Sequence, residues 1–180
     1  MDVKRVLKII GWGVVGIGVL SVLVVTIWTV TSGNSMNTKA KAGIESVSLS
    51  LNPKSAVLNK NQNITFGITV NGGNKITKGI DVYIQFDPSY WNISDKGIIP
   101  AKLFDKVLIN SIDETKGVIK FSALSTKAEI KTGIVGSFSL TPIKSGKTTI
   151  TFRRSETDLL EAETIRDVLT ELGNSEVEIR

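Results

Sequence analysis

Two hydrophobic patterns divide the chain. From Ile9 to Val30 apolar residues run almost unbroken, and no charged residue stands between Lys8 and Lys39. After Gly43 the pattern changes to strict alternation: Val47, Leu49 and Leu51; Ile64, Phe66, Ile68 and Val70; Ile80, Val82, Ile84 and Phe86. Similar short runs follow over 107–112, 118–124, 134–140, 148–152 and 176–179. Polar turns separate them, among them Asn71-Gly72-Gly73-Asn74, Asp113-Glu114-Thr115-Lys116-Gly117 and Ser145-Gly146-Lys147. A period of two puts every apolar side chain of a strand on one face. Many such strands between turns predict an all-β, antiparallel, jelly-roll-like sandwich of about nine strands over residues 44–180. Its length is enough to enclose a core without disulfides.

One stretch has a different spacing. In "TDLLEAETIRDVLTELG", residues Ile165, Val168, Leu169 and Leu172 recur at helical intervals and Gly173 offers a stop. A short helix over Ile165–Leu172 is the expectation; a long loop with an edge strand is the alternative.

The first apolar run is 22 residues, Ile9 to Val30, or about 33 Å of helix, enough for a hydrocarbon core of roughly 30 Å. A secretory signal carries only about 7–15 apolar residues. The run is therefore expected to be a retained transmembrane helix over 9–31, between a short basic end at 1–8 and a flexible polar tether at 32–43. Lys4, Arg5 and Lys8 crowd its near side, while Lys39 and Lys41 lie further from the other. That asymmetry favours a cytoplasmic N-terminus, a single pass through the cell membrane and an external C-terminal domain.

Composition removes several chemistries. There is no histidine and no cysteine, so Ser-His-Asp triads, zinc sites of nitrogen and sulfur ligands, and disulfides are excluded. The net charge of +5 does not mark a nucleic-acid binder. Lys4, Arg5, Lys8, Lys39, Lys41 and Asp2 all precede Gly43; without them, totals of 22 and 17 become 17 cations and 16 anions. A nucleic-acid module needs a concentrated basic face. Paired carboxylates are the remaining catalytic chemistry, and no feature singles out a pair, so binding rather than catalysis is expected. Glu156, Asp158, Glu161, Glu163 and Asp167 crowd one stretch beside Arg153 and Arg154. Calcium would suit such oxygens, but the EF-hand pattern is absent, so no metal or cofactor is indicated.

Four segments in a fixed order carry a resemblance. A strand ends in aromatic-Asp-Pro and an apolar corner in "DVYIQFDPSYWNI"; "LINSIDETKGVIKFSAL" follows; then "GIVGSFSLTPIKSGKTTITF"; last come "ETDLLEA" and "GNSEVEI". In that order the segments resemble a cohesin domain, of the wider superfamily that includes bacterial carbohydrate-binding modules. The resemblance implies a nine-stranded jelly roll that docks dockerin modules. It also implies that a polar residue early in the Asp-Pro strand, here Asp81, helps form the partner face.

Period-two geometry sets Asp81, Tyr83 and Gln85 opposite the apolar side of their strand. Lys120, Ser122 and Leu124 join that face if Ile119, Phe121 and Ala123 point inward. An exposed Tyr83 among polar residues would suit a binding hot spot. Tyr90 and Trp91 are candidates for stacking on a sugar, although adjacent residues seldom share one flat surface, and Trp91 with Ile93 is expected to plug the sandwich end. The partners to be weighed are therefore a surface protein and a polysaccharide. A pilin-like subunit is a third possibility, suggested by Lys8-Ile9-Ile10-Gly11 before the apolar run, but Gly16 stands where such pilins carry glutamate.

Overall fold

The computed structural model describes residues 46–180, apart from 94 and 128. The expected membrane span and tether lie outside the described residues. Among the described residues no helix is long and apolar enough to cross a membrane.

Among the described residues thirteen strands build two sheets. In chain order they are β1 (Ser48–Asn52), β2 (Ser55–Leu58), β3 (Ile64–Asn71), β4 (Thr77–Gln85), β5 (Trp91–Ile93), β6 (Ile99–Pro100) and β7 (Lys106–Asp113). The rest are β8 (Val118–Leu124), β9 (Thr132–Pro142), β10 (Gly146–Phe152), β11 (Asp158–Glu161), β12 (Glu171–Gly173) and β13 (Ser175–Ile179). The first sheet has the order β12-β1-β3-β9-β5, with β6 also on β9. The second runs β2-β13-β10-β4-β8-β7, with β11 also on β4.

The core lies between the sheets and follows the alternation. Leu49, Leu51, Phe66, Ile68, Phe138 and Leu140 enter from the first sheet and Ile80, Ile84, Ile119, Phe121 and Ile150 from the second, all at 1% exposure or less. Phe66 stacks on Phe138 at 5.5 Å between centroids and meets Trp91 edge-on at 6.3 Å. Such aromatic pairs add to the burial of their area.

Most pairs are antiparallel, but two are parallel: β1 with β12 and β2 with β13. The strands β12 and β13 are consecutive, as are β1 and β2, so the two ends of the domain cross from one sheet to the other side by side. Polar side chains secure the crossing. The Asn174 carbonyl oxygen accepts the Phe152 N–H at 3.0 Å, and the Ser175 hydroxyl donates to the Pro53 carbonyl at 2.8 Å.

The helix expected over Ile165–Leu172 is not formed. Ile165 has φ 54° and is 75% exposed, a conformation that stops a right-handed helix. The Asp167 carboxylate accepts the N–H groups of Leu159 and Leu169, both at 3.0 Å, and holds the segment extended. The Val168 N–H bonds to the Leu159 carbonyl, and those of Thr170 and Glu171 to the Val47 carbonyl. Four residues at helical spacing are a weak preference, and partners distant in sequence override it.

Candidate functional site

The outer face of the second sheet is built on β4. Its neighbour β8 pairs so that Gly79 lies opposite Leu124, Asp81 opposite Ser122, Tyr83 opposite Lys120 and Gln85 opposite Val118. Ile119, Phe121 and Ala123 are buried, so the six residues expected on one face do share it. Two further strands extend the rows: β11 sets Asp158 opposite Asp81 and Leu160 opposite Gly79, and β7 sets Ile109 beside Ser122.

Across one end of this face the surface is apolar. A side chain on Gly79 would lie 3.0 Å from Leu124 and 3.1 Å from Leu160. With hydrogen there instead, those two leucines close over the backbone, and Ile109, 50% exposed, lies in the next row.

The adjoining row is acidic. Asp81 and Asp158 face each other directly, an arrangement that costs free energy between like charges. Arg154 reaches Asp158 at 3.6 Å but Asp167 at 2.7 Å. Burial, then the Asp167 carboxylate, pushes the Asp158 carboxyl above its ordinary value; Arg154 opposes this and Asp81 adds to it. Asp167 is also partly buried, but the N–H groups of Leu159 and Leu169 and the guanidinium of Arg154 outweigh burial and hold it low. Asp81 is half-buried, and its carboxylate makes no hydrogen bond or ion pair among the described residues.

Next comes a cationic row. Tyr83 was expected to be exposed; it is 8% exposed. The Arg153 guanidinium lies 4.5 Å from its ring centroid and Lys120 Nζ 5.1 Å, a favourable stacking of cations on an aromatic face. Arg153 is fixed in turn by Glu156 at 2.8 Å and by the side-chain Oε1 of Gln85 at 3.2 Å. Beneath it the buried Thr157 hydroxyl accepts the Tyr83 N–H at 3.1 Å and donates to the Tyr83 carbonyl at 3.3 Å. Leu160, Asp158, Ile109 and Arg153 were not among the residues expected on this face. Alternation placed Ile109 in a strand and left Asp158 in the stretch of helical spacing, and which strands lie beside β4 is decided by pairings far apart in sequence.

The acidic stretch is largely neutralised within the chain. Glu156 pairs with Arg153, Asp158 and Asp167 with Arg154, and Glu161 with Lys75 at 2.8 Å.

At the other end of β4, Asp87-Pro88 turns the chain into the corner. The Asp87 carboxylate accepts the Ser89 N–H and its carbonyl accepts the Tyr90 N–H. Gly117 closes the corner at φ 64°, where any Cβ would lie 2.0 Å from the Phe86 carbonyl oxygen. Trp91 is 2% exposed and forms part of the core, so it plugs the sandwich and presents no stacking face. Its indole N–H has no partner among the described residues. Tyr90 is half-buried, with Lys144 Nζ 4.8 Å from its ring centroid. A cleft of about 520 Å³ opens beside it, bordered by Gln85, Asp87, Lys116, Lys147 and Thr151.

No protein-family model matches this chain, and no curated protein matches it in sequence. Solved structures do. CaCohA2 from Clostridium acetobutylicum, in solution, is 17% identical with a TM-score of 0.62, over 75% of this chain and 91% of that one. A non-cellulosomal cohesin from the hyperthermophilic archaeon Archaeoglobus fulgidus is 11% identical with a TM-score of 0.60, over 75% and 91%. The cohesin of a type I cohesin–dockerin complex, Coh-OlpA-Doc918 from Clostridium thermocellum, is 12% identical with a TM-score of 0.59, over 75% and 99%. At these identities the likeness shows the fold: the described domain has the cohesin fold.

Proposed function

We propose that the chain is a membrane-anchored display module whose second sheet docks a protein partner of the dockerin kind. In this reading residues 9–31 anchor it, residues 32–43 give reach, and the external domain recognises without catalysing. One observation carries the docking reading: the outer face places Asp81, whose carboxylate has no partner among the described residues, opposite Asp158 and between an apolar end at Leu124, Leu160 and Ile109 and a cationic row at Lys120 and Arg153. A half-buried carboxylate without a partner and opposite another carboxylate is costly, and a partner supplying a donor to Asp81 relieves that cost while covering the leucines. The fold likeness to a cohesin solved in complex with a dockerin supports a protein as the partner.

Immobilised protein is exposed to the secreted proteins of its host, beside an Asp81→Lys form. The reading expects a discrete protein retained by the parent and released by the variant. Equal retention by both would reject this face.

A second reading, glycan binding, is favoured by the polar cleft beside Tyr90. There Gln85, Lys147 and Thr151 offer donors to sugar hydroxyls. Retention on wall polysaccharide, lost in Lys147→Glu and unaffected by Asp81→Lys, would move the function to that cleft.

A further inference from the structure

Sheet ends expose unpaired backbone groups, and proteins usually keep them short. Three of the four ends follow this rule: β2 has four residues, and β12 and β5 have three each. The fourth, β7, has eight and no proline. No backbone group of Lys106–Asp113 bonds to a described residue outside its pairing with β8. The strand carries three consecutive exposed apolar residues, Val107 at 43%, Leu108 at 59% and Ile109 at 50%. A long apolar edge of this kind is a template for another strand.

The pattern along β7 says which strand fits. Pairing with β8 sets Val107 opposite Ala123 and Ile109 opposite Ser122, so Leu108 is an extra residue at a bulge. Without Leu108, seven positions remain: Lys106, Val107, Ile109, Asn110, Ser111, Ile112 and Asp113. They are self-complementary about Asn110. Antiparallel pairing of two copies sets Lys106 against the partner's Asp113, Val107 against the partner's Ile112 and Ile109 against the partner's Ser111. Each pair joins side chains on the same face, which opposing residues on antiparallel strands require. The charges attract at both ends of the seam. Asn110 falls on the two-fold axis. Its side chain is held by its own domain: Nδ2 donates to the Ile98 carbonyl and Oδ1 accepts the Ile98 N–H, both at 2.8 Å.

We infer that two copies of this chain associate through their β7 edges, joining the second sheets into one continuous sheet about a two-fold axis perpendicular to it. Because the axis is perpendicular, both outer faces look the same way. Two copies then present a doubled docking surface, and an isologous contact of this type closes without forming fibres. The association is independent of what the outer face binds.

The test uses the full chain in mild detergent, and the absence of cysteine makes every introduced thiol unique. An Ile109→Cys form is mixed with a Ser111→Cys form, since directly opposed Cα atoms about 4.5–5.5 Å apart suit a disulfide. Val57→Cys, exposed on the far edge strand of the same sheet, is the control for collision and for association through other segments. The expected result is cross-linking of the mixture at least about tenfold faster than the control. Ile109→Cys alone, which meets itself only diagonally, is slower than the mixture. Lys106→Glu in both members of the mixture slows the reaction at least about threefold, and adding Asp113→Lys restores it. A mixture no faster than the control, an Ile109→Cys form as fast alone as mixed, or a charge exchange without effect would each overturn the proposal.

Discussion

The two sheets are alike inside and unlike outside. Their inner faces present the same kind of surface, Leu, Ile, Val and Phe in tight contact. Outward, the central strands of the first sheet carry Ser48, Ser50, Thr65, Thr69, Ser137 and Ser139, without a charge. Four of those hydroxyls pair with one another: Ser50 bonds Thr69 at 2.7 Å and Thr65 bonds Ser139 at 3.1 Å. The second sheet carries Asp81, Tyr83, Lys120, Arg153 and Asp158 outward, and the Asp81 carboxylate is left without an ion pair among the described residues. A face whose hydroxyls pair with one another has less to gain from a partner than one with an unpartnered carboxylate beside half-buried leucines. The fold constrains the inner residues, and the function is written in the outer ones.

The comparison breaks first, and most strongly, in the core. Phe138→Ala, which removes the ring stacked on Phe66, should cost about 3–5 kcal/mol by denaturant unfolding. It should do so regardless of any partner. Thr157→Val keeps the shape but leaves the Tyr83 backbone N–H unsatisfied in a buried place. A loss of about 1–3 kcal/mol is expected from the same measurement, with the cationic lid over Tyr83 loosened. Asp81→Lys touches only the outer face. It should leave the unfolding free energy within about 0.5 kcal/mol of the parent's and weaken the partner at least about tenfold, roughly 1.4 kcal/mol.

Asp158→Asn has the smallest expected effect and sharpens the electrostatic side. The carboxyl of Asp158 is raised in the folded state, so the folded protein holds that proton more tightly than the unfolded chain. Its charge therefore costs stability above the raised value, and the cost disappears as pH falls through that value toward the ordinary carboxylate range. The side chain is 41% exposed, so screening by solvent keeps the gain in Asp158→Asn below about 1 kcal/mol near neutrality. The gain should vanish in acid, as unfolding measured across pH would show.

Much of this was legible from alternation. Ile80, Val82 and Ile84 turn inward because each is two residues from the next, and the same spacing gathers Asp81, Tyr83 and Gln85 outward. Lys120, Ser122 and Leu124 join them for the same reason on β8. Trp91 at the Asp-Pro corner was legible as a plug because the chain turns there into the sandwich end. Strands of two to four residues, such as β5, β6, β11 and β12, are too short to show a period. The cover over Tyr83 comes from Arg153, seventy positions away, through pairings that no local pattern contains. The segment around Asp167 misled for a related reason: its helical spacing was local, whereas the partners of its N–H groups, Leu159 and Val47, were not.

Amide hydrogen exchange of the domain, with and without the captured partner, tests the central claim most directly. Protection gained over β4, β8, β11 and β7, with β1, β3 and β9 unchanged, is the result expected of a docking face on the second sheet. Protection confined to the first sheet, or to the corner around Tyr90, would contradict it.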